Sequence, residues 1–93
     1  MKTKFSLINK NAVITGAGSG IGKAIALTFA KQGALVNVLD SNSDAANKTV
    51  DEIIKDGYIG NSFQCDVSNF ELVKKTIHKI QQSKSIDILI NNA

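Results

Sequence analysis

Ninety-three residues, 43% of them hydrophobic and 20% charged, suit one small globular domain and leave no room for a second. The formal net charge of +3 comes from Lys2, Lys4 and Lys10, because the eight lysines that follow are matched by eight carboxylates; with no arginine and scattered aromatics, no basic stripe for tracking nucleic acid exists. No apolar run approaches the ~20 residues that span a bilayer, Met1–Lys10 lacks the apolar centre of a secretory signal and reads as a short cap before the first strand, and the lone Cys65 allows neither an internal disulfide nor a zinc cluster, so a reducing, cytoplasmic setting is expected.

Along the chain, short apolar runs alternate with segments of helical period, uninterrupted by proline, repeats or low-complexity sequence. Ala12-Val13-Ile14, ending in Thr15 and a glycine cluster, predicts a central strand meeting a tight turn. From Ile21 the spacing becomes helical, and Ile21, Ile25 and Phe29, with Ala24 and Leu27 beside them, are expected on the buried face. Gly33 is placed to end this helix, since the residue after a C-cap often takes a positive φ at little cost to glycine. Ala34–Asp40 is apolar on both faces, as a parallel strand covered by helices must be, with Asn37 the exception.

Ser41–Asp44 carries N-cap chemistry for a second helix with Ala46, Val50 and Ile53/Ile54 in its stripe, ended by Gly57. A third strand is predicted around Asn61–Cys65. Ser68-Asn69-Phe70-Glu71 has the form of a capping box with Ser68 as cap, followed by a third helix burying Phe70, Val73, Ile77 and Ile80. Ile86–Ile90 predicts the fourth strand. Right-handed crossovers then give an α/β fold, a parallel sheet in the order 3-2-1-4.

The densest signal is Thr15-Gly16-Ala17-Gly18-Ser19-Gly20-Ile21-Gly22, between the first strand and the first helix. Glycines let the backbone turn sharply and approach a ligand, and a helix start offers unpaired amides and a partial positive charge to a phosphate. A purely structural turn rarely needs more than one or two glycines. A Walker A loop ending at Gly22-Lys23 would require glycine at 17 and a hydroxyl at 24, where the chain has Ala17 and Ala24. The Gly-x-Gly-x-x-Gly/Ala pattern fits only one residue out of register. The Gly-x-Gly-x-Gly loop of S-adenosylmethionine-dependent methyltransferases is matched by Gly16–Gly20 and stays open on the loop alone. Asp40, eighteen residues after Gly22, stands near the spacing at which an acid receives an adenosine ribose.

The form Thr-Gly-x-x-x-Gly-x-Gly, ending Gly20-Ile21-Gly22, resembles the cofactor loop of the short-chain dehydrogenase/reductase family, and the closing Asn91-Asn92-Ala93 resembles that family's Asn-Asn-Ala-Gly signature, which methyltransferases ordinarily lack. The likeness runs from about Ala12 to Ala93. It implies a Rossmann-type doubly wound sheet that binds NAD through Gly16, Gly18, Ser19, Gly20, Ile21 and Gly22 at the diphosphate and Asp40 at the ribose. It also implies adenine contacts from Asp66 and Val67 and contacts near the nicotinamide ribose from Asn92 and Ala93, with Asn91 structural. NADP is disfavoured by the Asp40 charge and by serines at 19 and 41, where NADP-preferring relatives resemble one another in carrying arginine or lysine.

Family chemistry, as the resemblance implies it, is hydride transfer between nicotinamide and an alcohol or carbonyl carbon, with a tyrosine acid/base tuned by a lysine four residues on and a serine polarising the substrate. None of these is found. The sole tyrosine, Tyr58, has Ser62 at the lysine position; Cys65 reads as a buried strand residue and His78 as a partly exposed helix residue. The expectation is therefore the N-terminal part of one NAD-binding domain, residues 1–93, truncated after the fourth strand, inactive alone and with exposed sheet edges. Its full-length form is expected to be a homo-oligomer acting on a small alcohol or carbonyl compound, without nucleic acid or membrane partners. A stand-alone nucleotide-binding module and an S-adenosylmethionine-dependent methyltransferase-like domain are the other readings.

Overall fold

The computed structural model describes residues 6–92. Its elements are β1 (Asn11–Thr15), α1 (Gly20–Lys31), β2 (Leu35–Asp40), α2 (Ser43–Lys55), β3 (Gly60–Gln64), α3 (Phe70–Ser83) and β4 (Ile88–Ile90). The strands form one sheet in the order β3-β2-β1-β4, parallel at every pairing, as the sequence predicts. Ala12 stands opposite Val36 and Ile88, and Ile14 opposite Val38 and Ile90, so the C-terminal ends of β2, β1 and β4 come level. That edge, where the strand order reverses at β1, is where open α/β sheets form a crevice.

Strand alternation sorts the core into two layers. Ala12, Ile14, Val36 and Val38 point to the side covered by α1 and α2, where Ala26, Ala30, Ala46, Val50 and Ile53 meet them. Val13 and Leu39 point the other way, toward Cys65 and Ile80 under α3. β1 is buried along its whole length, as its place inside the sheet requires. Of the opening segment, Met1–Phe5 lie outside the described residues; Leu7 is buried in the larger core and its amide donates to Gln32 O at 2.8 Å.

Asn37 fits the sheet by being satisfied inside it. Its Nδ2 donates to Asn11 Oδ1 at 2.7 Å and to Ala12 O at 2.9 Å, while Asn11 Nδ2 donates to Lys84 O and the Asn11 amide to Asp87 Oδ2. A buried amide with partners of this kind costs little, whereas an unpaired one would cost ~1–3 kcal/mol.

Three helix expectations need correction. In α1 the buried positions are Gly22, Ala26 and Ala30; Ile25, Leu27 and Phe29 flank them, and Ile21 is 74% exposed. Small residues lie against the sheet because they let the helix axis approach it, and the larger ones fill the margins. In α2 Ala46, Val50 and Ile53 are buried as expected, Thr49 is buried with them, and Ile54 is exposed. In α3 the cap is Asn69, not Ser68: Asn69 Oδ1 accepts the Leu72 amide at 3.1 Å, Phe70 is exposed, and Thr76 and Ile80 are the buried positions. Gly33 does follow the α1 C-cap at φ 97, with its own amide donating to Ala30 O and that of Ala34 to Phe29 O, the paired bonds of a Schellman ending.

Candidate functional site

Between β1 and α1 the backbone of residues 16–18 is held from four directions. The Ala17 amide donates to Leu39 O at 3.2 Å and the Gly18 amide to Asp40 Oδ2 at 2.9 Å. Thr49 Oγ1, fully buried on α2, donates to Ala17 O at 3.0 Å, and Asn92 Nδ2 donates to Gly16 O at 3.3 Å. The loop also packs too closely for side chains: a Cβ on Gly22 would lie 2.2 Å from Gly16 O, and one on Gly18 2.7 Å from both Ala45 Cβ and Asp40 Oδ2.

The start of α1 contrasts with this clamped segment. Ser19 is its N-cap, in extended conformation, and its side chain makes no capping bond; the first turn carries no acid. A Cβ on Gly20 would meet nothing within 4 Å. The start of α1 thus has no side-chain cap, no acid in its first turn and open space over Gly20, the features of a helix start that can receive a phosphate.

Beside the loop, a crevice is lined by Gly16, Asp40, Ser41, Cys65, Asp66 and Val67. Asp40 ends β2, and besides Gly18 its carboxylate accepts the Asn42 amide at Oδ1, 2.9 Å away. Asp66 lies just beyond β3, where Oδ1 accepts both the hydroxyl and the amide of Ser68 at 2.7 and 2.9 Å. Those bonds, the hydroxyl first, hold the Asp66 carboxyl below the usual carboxylate range. Ser68, expected to cap α3, instead fixes this carboxylate. On the other side of β1, Thr15 Oγ1 donates to Asn91 Oδ1 at 3.1 Å and accepts the Asn92 amide at 2.9 Å, joining the end of β1 to the segment after β4.

Gly16, Gly18, Ser19, Gly20, Ile21, Gly22, Asp40, Asp66, Val67 and Asn92 therefore all gather at the C-terminal edge of the sheet, while Ala93 lies outside the described residues. The Ile21 side chain is exposed at the start of α1. Asn42, the N-cap of α2, falls within Ser41–Asp44, where N-cap chemistry is expected, whereas Thr49 and Ala45 are not singled out by the sequence. Thr49 falls three residues after Ala46 on the helical period, which is the signal that could have found it. Cys65 is buried at the back of the crevice, and His78 is exposed on α3 beside Gln82 Nε2 at 3.2 Å. Among the described residues no cluster of His, Cys, Asp or Glu could hold a metal ion, and no helix is long and apolar enough to cross a membrane.

The chain matches the family described as short chain dehydrogenase over residues 10–93. Over 88 residues it is 50% identical to the 7alpha-hydroxysteroid dehydrogenase of Escherichia coli (strain K12), covering 94% of this chain and 34% of that enzyme. It is also 42% identical over 90 residues to the short-chain dehydrogenase/reductase homolog YusS of Bacillus subtilis (strain 168), covering 95% of this chain and 83% of that one. The crystal structure of the hydroxysteroid dehydrogenase from Escherichia coli superposes with a TM-score of 0.90 at 46% identity, over 95% of this chain and 38% of that one. Two further structures match at a TM-score of 0.84. A Haemophilus influenza protein assigned as a D-mannonate oxidoreductase, with bound NAD, is 32% identical over 90% of this chain and 30% of that one. A Beutenbergia cavernae protein assigned as an NAD(P)-dependent gluconate 5-dehydrogenase, with NADP at low occupancy, is 33% identical over 90% and 33%. The chain thus spans about one third of the hydroxysteroid dehydrogenase it resembles. With two motifs, the sheet order and the sequence match in agreement, the methyltransferase alternative falls away, and the chain belongs to the short-chain dehydrogenase/reductase family.

Proposed function

We propose that this chain is the dinucleotide-binding part of an oxidoreductase that transfers hydride between a nicotinamide and an alcohol or carbonyl carbon, and that it takes NAD in preference to NADP. The observation that carries the cofactor assignment is Asp40, whose carboxylate stands at the end of β2, beside the glycine loop and at the mouth of the crevice. In the bound state this carboxylate accepts hydrogen bonds from the adenosine ribose, and a 2′-phosphate there would meet a like charge. Neither Ser19 nor Ser41 supplies a cation to offset it. The relatives with bound cofactor hold NAD in one case and NADP in the other, so the preference rests on this chain's own residues.

The geometry fits a dinucleotide. Open space over Gly20 and an uncapped start of α1 leave room for a diphosphate, and the loop behind them is fixed by Thr49, Asn92 and Asp40. Asp66 and Val67, which line the crevice, are assigned to the adenine, and Asn92, bonded to Gly16 O, is assigned together with Ala93 to the nicotinamide ribose. A bound nicotinamide supplies or accepts the hydride; residues 1–93 bind and orient it. Tyr58, in the segment between α2 and β3 with Ser62 four residues on, has no lysine to tune it, so the 93 residues alone are assigned no catalysis. The small alcohol or carbonyl substrate, the homo-oligomeric full-length form and the cytoplasmic setting belong to the same proposal. A stand-alone nucleotide-binding module is the second reading, favoured by the YusS relative, most of whose length this chain covers.

Titration of the chain with NADH and NADPH, followed by calorimetry, tests the assignment. The expected result is NADH tighter by about tenfold or more, since one poorly screened like-charge contact is worth at least ~1.4 kcal/mol. Equal affinities, or tighter NADPH, defeat the NAD preference; no binding of either defeats the dinucleotide reading.

A further inference from the structure

We propose that Asp40 is also the anchor of the glycine loop, a positioning residue that sets where the phosphate-receiving amides stand. The inference rests on the reading that this loop receives a dinucleotide's diphosphate. Both carboxylate oxygens are engaged by backbone: Oδ2 accepts the Gly18 amide and Oδ1 the Asn42 amide, each at 2.9 Å. Bonds from an amide to an ionised acceptor are about twice as strong as neutral ones. The packing agrees with the bonding, because Gly18 is seated so closely on the carboxylate and on Ala45 that even a Cβ would not fit. Leu39, the preceding residue, stands opposite Thr15 in the sheet and accepts the Ala17 amide, so the loop's height is referred to β2.

Two residues after Gly18, α1 begins. Whatever moves Gly18 therefore moves the first-turn amides. A carboxylate offers about four lone-pair sites, and two are used here, so the same group retains capacity for ribose hydroxyls. One side chain thus links the sugar site to the diphosphate site, and deleting it removes both at once instead of admitting NADP.

The two roles differ in sign for a ligand that has no ribose. If Asp40 served the ribose alone, removing its negative charge would leave the binding of inorganic pyrophosphate unchanged or tighten it. If it anchors the loop, Asp40→Ala weakens pyrophosphate despite the lost repulsion. The experiment titrates pyrophosphate, NADH and NADPH into the wild-type chain, Asp40→Ala and Asp40→Asn, following the Gly20 and Gly22 amides by NMR. Asp40→Ala is expected to weaken pyrophosphate about fivefold or more, the size of a lost charge-assisted bond, with NADPH no tighter than in wild type. Asp40→Asn keeps an acceptor oxygen and is expected to restore pyrophosphate binding while NADH remains weakened. Unchanged or tighter pyrophosphate in Asp40→Ala overturns the proposal. Exchange of the Gly18 amide in the wild-type chain gives a readout that needs no variant: slow exchange relative to the exposed Ser19 amide is expected, and equally fast exchange overturns the anchor. A wild-type chain that binds neither NADH nor pyrophosphate defeats the dinucleotide reading instead, and Gly18 exchange still judges the anchor.

Discussion

Gly22 approaches the Gly16 carbonyl so closely that a methyl group would stand 2.2 Å from that oxygen and 2.5 Å from Asn92 Nδ2. Both neighbours are fixed, one as backbone and the other by its bond to Gly16, so Gly22→Ala has to displace the loop. It is expected to cost ~1–3 kcal/mol in chemical denaturation, the range for overpacking a tight site, and to weaken NADH; a variant as stable as wild type would contradict this packing. The Asn11–Asn37 pair makes a different kind of demand. Asn37→Val leaves Asn11 Oδ1 without the donor at 2.7 Å, and a loss of ~1–3 kcal/mol follows from one stranded buried acceptor. Removing both amides together, in Asn11→Ala with Asn37→Val, should cost less than the two single losses added, and a double-mutant cycle measures that coupling. Asp40 and the glycines were legible in the sequence because their spacing is imposed by the ligand they are proposed to hold. Thr49 and the Asn11–Asn37 bond were not, because only the folded sheet brings residues 32 and 26 positions apart into contact.

At the scale of elements, strand positions and helix existence followed from apolar rhythm, whereas caps and buried faces shifted by a residue. The α3 start shows why. Ser68 and Asn69 are both competent caps, and the choice is made by Asp66, whose carboxylate takes the Ser68 hydroxyl and leaves Asn69 to accept the Leu72 amide. Asn69→Ala is therefore expected to cost ~1 kcal/mol, the usual loss on removing a cap, with Ser68→Ala costing less; denaturation midpoints of the two variants decide the order. The same turn carries a pH signature. The Asp66 carboxyl is lowered in the folded chain by the Ser68 hydroxyl and amide, so its stabilising contribution is fully present above the unfolded-state pKa and is lost as pH falls through the depressed folded value. The stability difference between wild type and Asp66→Ala should hold steady from about pH 7 to pH 5 and narrow below about pH 4. A difference independent of pH across that window would show that the carboxylate charge contributes nothing to the turn.

Across the whole molecule the sheet is covered unequally. The α1 and α2 side encloses Ala12, Ile14, Val36, Val38 and Ile53 almost completely. On the α3 side the buried cluster is smaller, Val13, Leu39, Cys65 and Ile80, with Phe63, Leu72, Val73, Ile77 and Ile86 only partly buried against it, while Leu89 on that side of β4 is 59% exposed. Opening free energies in a domain scale with the apolar burial lost in each local event, so α3 and β4 should open before α1 and α2. The adenine crevice bears on this order, because Asp66 and Val67 lie on the segment that leads into α3. A ligand bound there stabilises only those states in which that segment is in place. Amide hydrogen exchange is therefore expected to run faster in α3 than in α2 for the free chain, and saturating NADH is expected to slow α3 more than α2. If α2 exchanged first, the burial contrast between the two faces would not govern local stability. If NADH protected both helices equally, the ligand would be stabilising the sheet as a whole and not closing the weaker face against it.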